Sequence, residues 1–230
     1  MKKIFFIIAF VLCFTVITSC NPDKDDTIAE EQKPTTNPNS YKNVTKLKNF
    51  TGKDILTITP EIEAEGLVYQ GEAPFDEEIS VHLFMKSDMS ILYMLYEAKD
   101  VIFMSVVSHA IFERDTAFNY FENYSLEPVA MLNNKVYDYY GACILNDQTE
   151  SEFLTYQSFL TYYNDNKNNM LACLGSWDTE LEQIATILQY ENSIYMPMLM
   201  YINKPITPPS MLEKNISKII SENIVKKLRR

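Results

Sequence analysis

Five glycines in 230 residues leave this chain few places to turn tightly. A sheet of many strands needs a sharp reversal at each hairpin, and Asn-Gly or Asp-Gly pairs are the usual source of the left-handed backbone required there. No such pair occurs in the sequence. Helical spacing, by contrast, is easy to find. Ile91, Leu95, Ala98, Ile102, Ser105, His109 and Phe112 fall by fours and threes along one stripe, with Glu97, Lys99 and Asp100 on the opposite side. Thr149, Thr179 and Ser210 are each followed three residues on by glutamate, the pattern of a capping box. Phe153, Leu154, Tyr156, Phe159, Leu160 and Tyr163 would form the apolar side of the first helix so started. Leu181, Ile184, Leu188, Tyr195, Met198 and Ile202 would serve the second, kinked or ended at Pro197. Leu212, Ile216, Ile219, Ile220, Ile224 and Leu228 would serve the third. Further helices are expected over 128–145 and, shorter, over 76–86. The pattern predicts a mostly α fold, a single helical domain of about six or seven helices over residues 47–230, with 47–74 irregular around a short helix.

The amino terminus reads differently. Lys2 and Lys3 precede an apolar run from Ile4 to Ile17, and Thr18 and Ser19 supply small residues before Cys20. This is the layout of a secretory leader, too short in its apolar part for a comfortable membrane span. Ile17-Thr18-Ser19-Cys20 resembles the lipobox of bacterial lipoproteins. The resemblance implies cleavage after residue 19, a lipid on Cys20 and anchoring to a membrane. Lys24-Asp25-Asp26 resembles the export signal that sends lipoproteins of Bacteroidota to the outer face of the outer membrane. Asp26-Thr27-Ile28 resembles an O-glycan acceptor of that phylum, with Thr27 as the acceptor. Location at the cell surface is therefore the expectation, with a periplasm-facing outer-membrane lipoprotein as the alternative. Residues 20–46 are rich in Asn, Pro, Asp, Lys and Thr and read as a flexible tether, able to reach on the order of 80 Å when extended.

The formal net charge is −11, from 31 acidic and 20 basic residues, which argues against nucleic acid as a partner. The acidic residues are unevenly spread. Between Lys53 and Lys86 stand Asp54, Glu61, Glu63, Glu65, Glu72, Asp76, Glu77 and Glu78 with no basic residue among them, whereas Lys226, Lys227, Arg229 and Arg230 cluster together. Such a run is either a solvated acidic face or a docking surface for a cationic partner.

Cys143 and Cys173 remain once the leader cysteine and Cys20 are set aside, and can be read equally as a disulfide or as two packed thiols. His109 and Glu113 are four apart, so on a helix they could form an acid/base couple or part of a metal site, or merely satisfy each other. Motifs for nucleotide binding, metal binding or a serine nucleophile are absent, and no cofactor is expected. Met196, Met198 and Met200 around Pro197 make an adaptable apolar patch. The expected role is non-catalytic binding of a protein or glycan at the cell surface. A lipid-anchored immunity protein against a basic toxin and a cell-envelope enzyme are the two alternatives.

Overall fold

The computed structural model describes residues 41–75, 77–133, 135–191 and 193–212. Two short helices lead, α1 (Lys42–Phe50) and α2 (Ile55–Glu63), followed by β1 (Leu67–Pro74), β2 (Ser80–Lys86), β3 (Ile91–Ala98) and β4 (Val101–His109). The longest helix, α3 (Arg114–Met131), precedes β5 (Asp138–Leu145) and β6 (Glu150–Phe153). Then come α4 (Tyr156–Asn166), β7 (Met170–Asp178), β8 (Glu182–Glu191), β9 (Ile194–Asn203) and α5 (Pro209–Leu212). All nine strands join one antiparallel sheet in the order β1-β2-β3-β4-β9-β8-β7-β5-β6. The expected all-α domain is therefore corrected to a sheet with helices packed on it.

The reason lies in what helical spacing sampled. The stripe from Ile91 to Phe112 is two strands, β3 and β4, buried on both faces along much of their length. In a strand covered on both sides nearly every position is apolar, so a reading by threes and fours finds residues wherever it lands. Lys99 and Asp100, read as the polar side of a helix, are the hairpin turn, with φ of 52° and 60°. Other hairpins turn the same way: Met89, Gln148 and Ser193 have φ of 61°, 66° and 67°. These hairpin reversals are made without glycine, although Gly52 and Gly66 make other turns with φ of 84° and 82°. Asp100→Gly should consequently raise stability by about 1 kcal/mol, read as a higher urea midpoint, because a side chain in left-handed backbone is strained. A lower midpoint would contradict this turn.

The other helix expectations resolve similarly. Thr179 Oγ1 does accept from the Glu182 N–H at 3.0 Å, but that bond closes the turn from β7 into β8, and the expected second helix is the β8–β9 hairpin. The expected helix over 128–145 contains the last turn of α3 and then β5, and that over 76–86 contains β2. The helix expected after Thr149 starts six residues later, capped by Thr155 through the Ser158 N–H, and Glu150–Phe153 forms β6 instead. Of the third capping-box helix, only α5 lies within the described residues. Leu47–Pro74, expected as irregular, holds the end of α1, then α2 and β1, and α1 begins at Lys42, inside the expected tether. Pro60 sits within α2, whose cap is Asp54, accepting from the Thr57 N–H at 2.8 Å.

One face of the sheet carries the helices. Phe84, Leu95, Val107, Cys173, Trp177 and Leu199 pack there with Leu47 and Phe50 of α1, Phe118 and Phe121 of α3, and Phe159 and Tyr163 of α4. α1 has no capping side chain of its own. Glu127 of α3 takes that role, accepting from the Val44 N–H at 2.8 Å and from Asn43. A carboxylate at a helix N-terminus satisfies free N–H groups and meets the positive end of the dipole, so this bond locks α1 to α3. The second face is also apolar, with Val81, Met94, Met104, Ala185, Ile187 and Met200 in one cluster.

Candidate functional site

At the end of β4, His109 pairs across from Ile91, and Ile111 then makes a single bridge to Tyr195 at the start of β9. The chain must turn outward here to enter α3 at Arg114, which leaves Phe112 on the outside of the corner, 75% exposed. The His109 side chain faces inward under α3. Its Nε2 lies 2.6 Å from the Tyr124 hydroxyl, and its ring packs on Tyr120 with centroids 4.4 Å apart. Tyr120 and Tyr124 are one helical turn apart, so the same stripe of α3 grips the imidazole twice.

Burial, together with the positive charge of Lys86, depresses the His109 pKa to about 4. The ring is therefore neutral at physiological pH and a weak base. Burial also pushes the Tyr124 hydroxyl up, so it keeps its proton. Glu113 does not pair with His109. It stands exposed at the cap position of α3 and accepts from Thr116 Oγ1 at 3.3 Å. The four-residue spacing that joined the two in the sequence operates only on a helix, and His109 ends a strand.

Around this bond lies an aromatic corner. Tyr120 is 39% exposed, and Met89 in the β2–β3 turn is 42% exposed. That turn abuts the corner, since the Ala110 N–H bonds to the Ser90 carbonyl at 3.2 Å. Tyr195 packs at a tilt on Tyr190 with centroids 4.5 Å apart and meets Phe118 edge-on. Arg114 lies over the Phe118 ring at 4.0 Å and donates to the Lys167 carbonyl, tying the start of α3 to the end of α4. An exposed aromatic ring such as Tyr120, packed on an imidazole that is itself hydrogen-bonded, offers a flat apolar face with little left to order on binding. It suits a sugar face or an apolar side chain.

The other histidine is in a relay that the sequence did not disclose. Tyr69 of β1 places its hydroxyl 2.9 Å from His82 Nδ1, and Glu97 of β3 places Oε2 2.8 Å from His82 Nε2. The order of hydroxyl, imidazole and carboxylate is that of a hydrolytic triad. The hydroxyl is a phenol, however, and burial with the nearby charges of Glu72 and Glu97 raises its pKa, opposite to what a nucleophile requires. His82 itself is buried. The three groups brace the outer strands β1, β2 and β3. Only the strand register brings them together, and no spacing within the chain announces it.

Cys143 and Cys173 are directly opposite on β5 and β7, both buried and both free thiols. Burial raises Cys143 to about 12 and Cys173 well above the ordinary thiol value, which makes both poor nucleophiles. Nearby, a recess of about 40 Å³ at the β6 edge is lined by Tyr140, Glu150 and Glu152, among others, and could hold little more than a water. Among the described residues no group of three His, Cys, Asp or Glu side chains could hold a metal ion.

The acidic run does not form one free face. Asp54 caps α2, Glu61 lies 3.5 Å from Lys53, Glu65 pairs with Lys46, and Glu72 accepts from Ser80. Cys20, Lys24, Asp25, Asp26 and Thr27, together with the basic cluster at 226–230, lie outside the described residues. Comparison with protein-family models, with curated proteins and with solved structures gave no match.

Proposed function

We propose that this is a lipid-anchored protein of the outer-membrane surface that binds a protein or glycan, without catalysis, through the aromatic corner around His109. The observation that carries the binding half is the pairing of exposed rings with a fixed support. Phe112 and Tyr120 face solvent while the half-buried bond from Tyr124 to His109 holds the ring on which Tyr120 packs. Large aromatic side chains that need little ordering are the residues that carry most interface energy. The anchoring half rests on Ile17-Thr18-Ser19-Cys20 and Lys24-Asp25-Asp26.

Neither alternative gains an observation of its own. Capture of a basic toxin would draw on the acidic run, whose carboxylates are in part engaged by Lys46, Lys53 and Ser80. Catalysis would draw on His109 or the Tyr69 relay, and the first is a weak base while the second has a raised phenol.

Location is tested by labelling intact cells with a membrane-impermeant amine reagent. The protein should label fully, and changing Lys24, Asp25 and Asp26 together to Ala should keep the lipid and abolish labelling. Labelling of the unchanged protein only after the outer membrane is broken would overturn surface exposure.

A further inference from the structure

Cys143 and Cys173 take no part in the aromatic corner. Burial makes both poor nucleophiles, and among the described residues no third ligand makes a metal site of them. Their placement is nonetheless specific. They are partners in the register of β5 and β7, and both belong to the helical-face cluster that includes Phe159 and Tyr163 of α4. Directly opposite residues of an antiparallel pair have Cα atoms about 4.5 or 5.5 Å apart, and a cystine spans Cα separations of about 4.4–6.8 Å. The backbone thus holds the two free thiols where a bond between them needs side-chain rotation and only a small adjustment of the strands.

We propose that Cys143 and Cys173 are joined as a disulfide in the mature protein. The inference rests on the export read from Ile17-Thr18-Ser19-Cys20, because facing thiols stay reduced in the cytosol and are oxidised beyond it. One thiolate attacks the disulfide of a thiol oxidase, and the other displaces the oxidase from the mixed disulfide. The two thiols lose two protons and two electrons, and the oxidase leaves as a dithiol. Cys13 leaves with the leader and Cys20 carries the lipid, so the proposed processing gives this pair no competing cysteine. The bond closes a loop of about 31 residues that holds β6 and α4, and so fastens the β6 edge of the sheet.

Burial sets the order of events. Exchange needs a thiolate, and both thiols are held in their protonated form beneath α4. Oxidation therefore comes before α4 settles on β5 and β7, while the thiols are still in water. Once α4 is in place, the same cover keeps an external thiolate away from the bond.

The test traps thiols in cells grown without reductant. The cells are quenched in acid, and the protein is denatured with a maleimide and digested for mass spectrometry. Cys143 and Cys173 should appear in one linked pair of peptides and take the maleimide only after reduction with a phosphine. Both thiols alkylated without reduction would overturn the proposal. Refolding the reduced, unfolded mature chain with oxidised glutathione then separates the two causes. A linked pair formed there shows that the facing geometry holds and that the protein does not reach an oxidising compartment. No linked pair there shows that the geometry itself fails, wherever the protein resides. The order of events is read on the folded, oxidised protein: dithiothreitol should break the bond in urea and leave it intact without urea. Equal rates of reduction in the two conditions would overturn the role given to α4.

Discussion

Trp177→Ala should lower the unfolding free energy by about 4 kcal/mol, a large share of the margin of a typical domain. Trp177 is wholly buried on β7, with its ring 5.2 Å from that of Tyr139 and 5.4 Å from that of Tyr156. The backbone beneath them is made of Gly141 and Gly175, directly opposite each other on β5 and β7. A Cβ on Gly141 would stand 2.8 Å from Phe159 Cδ2 and 2.9 Å from the Tyr139 hydroxyl, and one on Gly175 would stand 3.0 Å from the indole. These two glycines thus serve to admit aromatic rings, unlike Gly52 and Gly66, which sit in turns with φ of 84° and 82°. The Trp177 Nε1 and the Tyr139 hydroxyl are buried without hydrogen-bond partners. Each orphaned group costs about 1–3 kcal/mol, a charge against the large apolar area that the rings bury. The area wins, so the substitution is destabilising despite removing one orphan. Urea unfolding followed by far-UV circular dichroism measures it, since the single tryptophan is lost as a reporter. A change below 1 kcal/mol would contradict the packing of β5, β7 and α4.

Glu182→Gln should cost on the order of 2 kcal/mol at neutral pH and flatten the acid limb of stability. Glu182 begins β8 and is buried. Its carboxylate accepts from Lys48 Nζ at 2.7 Å, Lys135 Nζ at 2.8 Å and the Tyr201 hydroxyl at 2.8 Å. One side chain therefore joins α1, the loop after α3, β8 and β9. Burial alone would raise its pKa, but the bonds from Lys135, Lys48 and Tyr201 outweigh it and hold the group at about 2, against 4.5 for an ordinary glutamate. A group depressed on folding stabilises the folded state above its unfolded value and loses that contribution as pH falls through its folded value. The window is thus from about pH 4.5 down to about 2. The lysine side chains are 43% and 51% exposed, and water screening reduces the full linkage value accordingly. Urea midpoints of the two proteins should differ at pH 7 and converge towards pH 2. Curves that run parallel across that window would show that Glu182 does not hold these elements together.

How much of this was legible depended on whether a signal was local. The face of α4 could be read, because Phe159 and Tyr163 keep helical spacing and the chain there is a helix. Thr179 and Glu182, read as the start of a helix, are hydrogen-bonded at a turn between strands instead. A hydroxyl accepting an N–H three residues on closes a turn whether or not a helix follows, so the same bond fits a hairpin. β3 and β4 misled for a different reason, since burial on both faces erases the alternation that marks a strand. α3 was missed because its Asn, Tyr, Phe, Thr and Ser are indifferent helix formers and its support comes from packing on β8 and β9. At the candidate site, His109 stood out as a rare residue, but its partner Tyr124 lies beyond a chain reversal that only the fold supplies. The Tyr69–His82–Glu97 relay crosses three strands and left no trace in spacing.

The most direct test of binding at the cell surface is photo-cross-linking on intact cells. A photoreactive phenylalanine analogue is placed at 112 in the aromatic corner, and in a second protein at 56, where Leu56 is 81% exposed on α2. Irradiation should give a discrete adduct from position 112 and none from position 56. No adduct from position 112, or the same adduct from both positions, would contradict binding through the corner around His109.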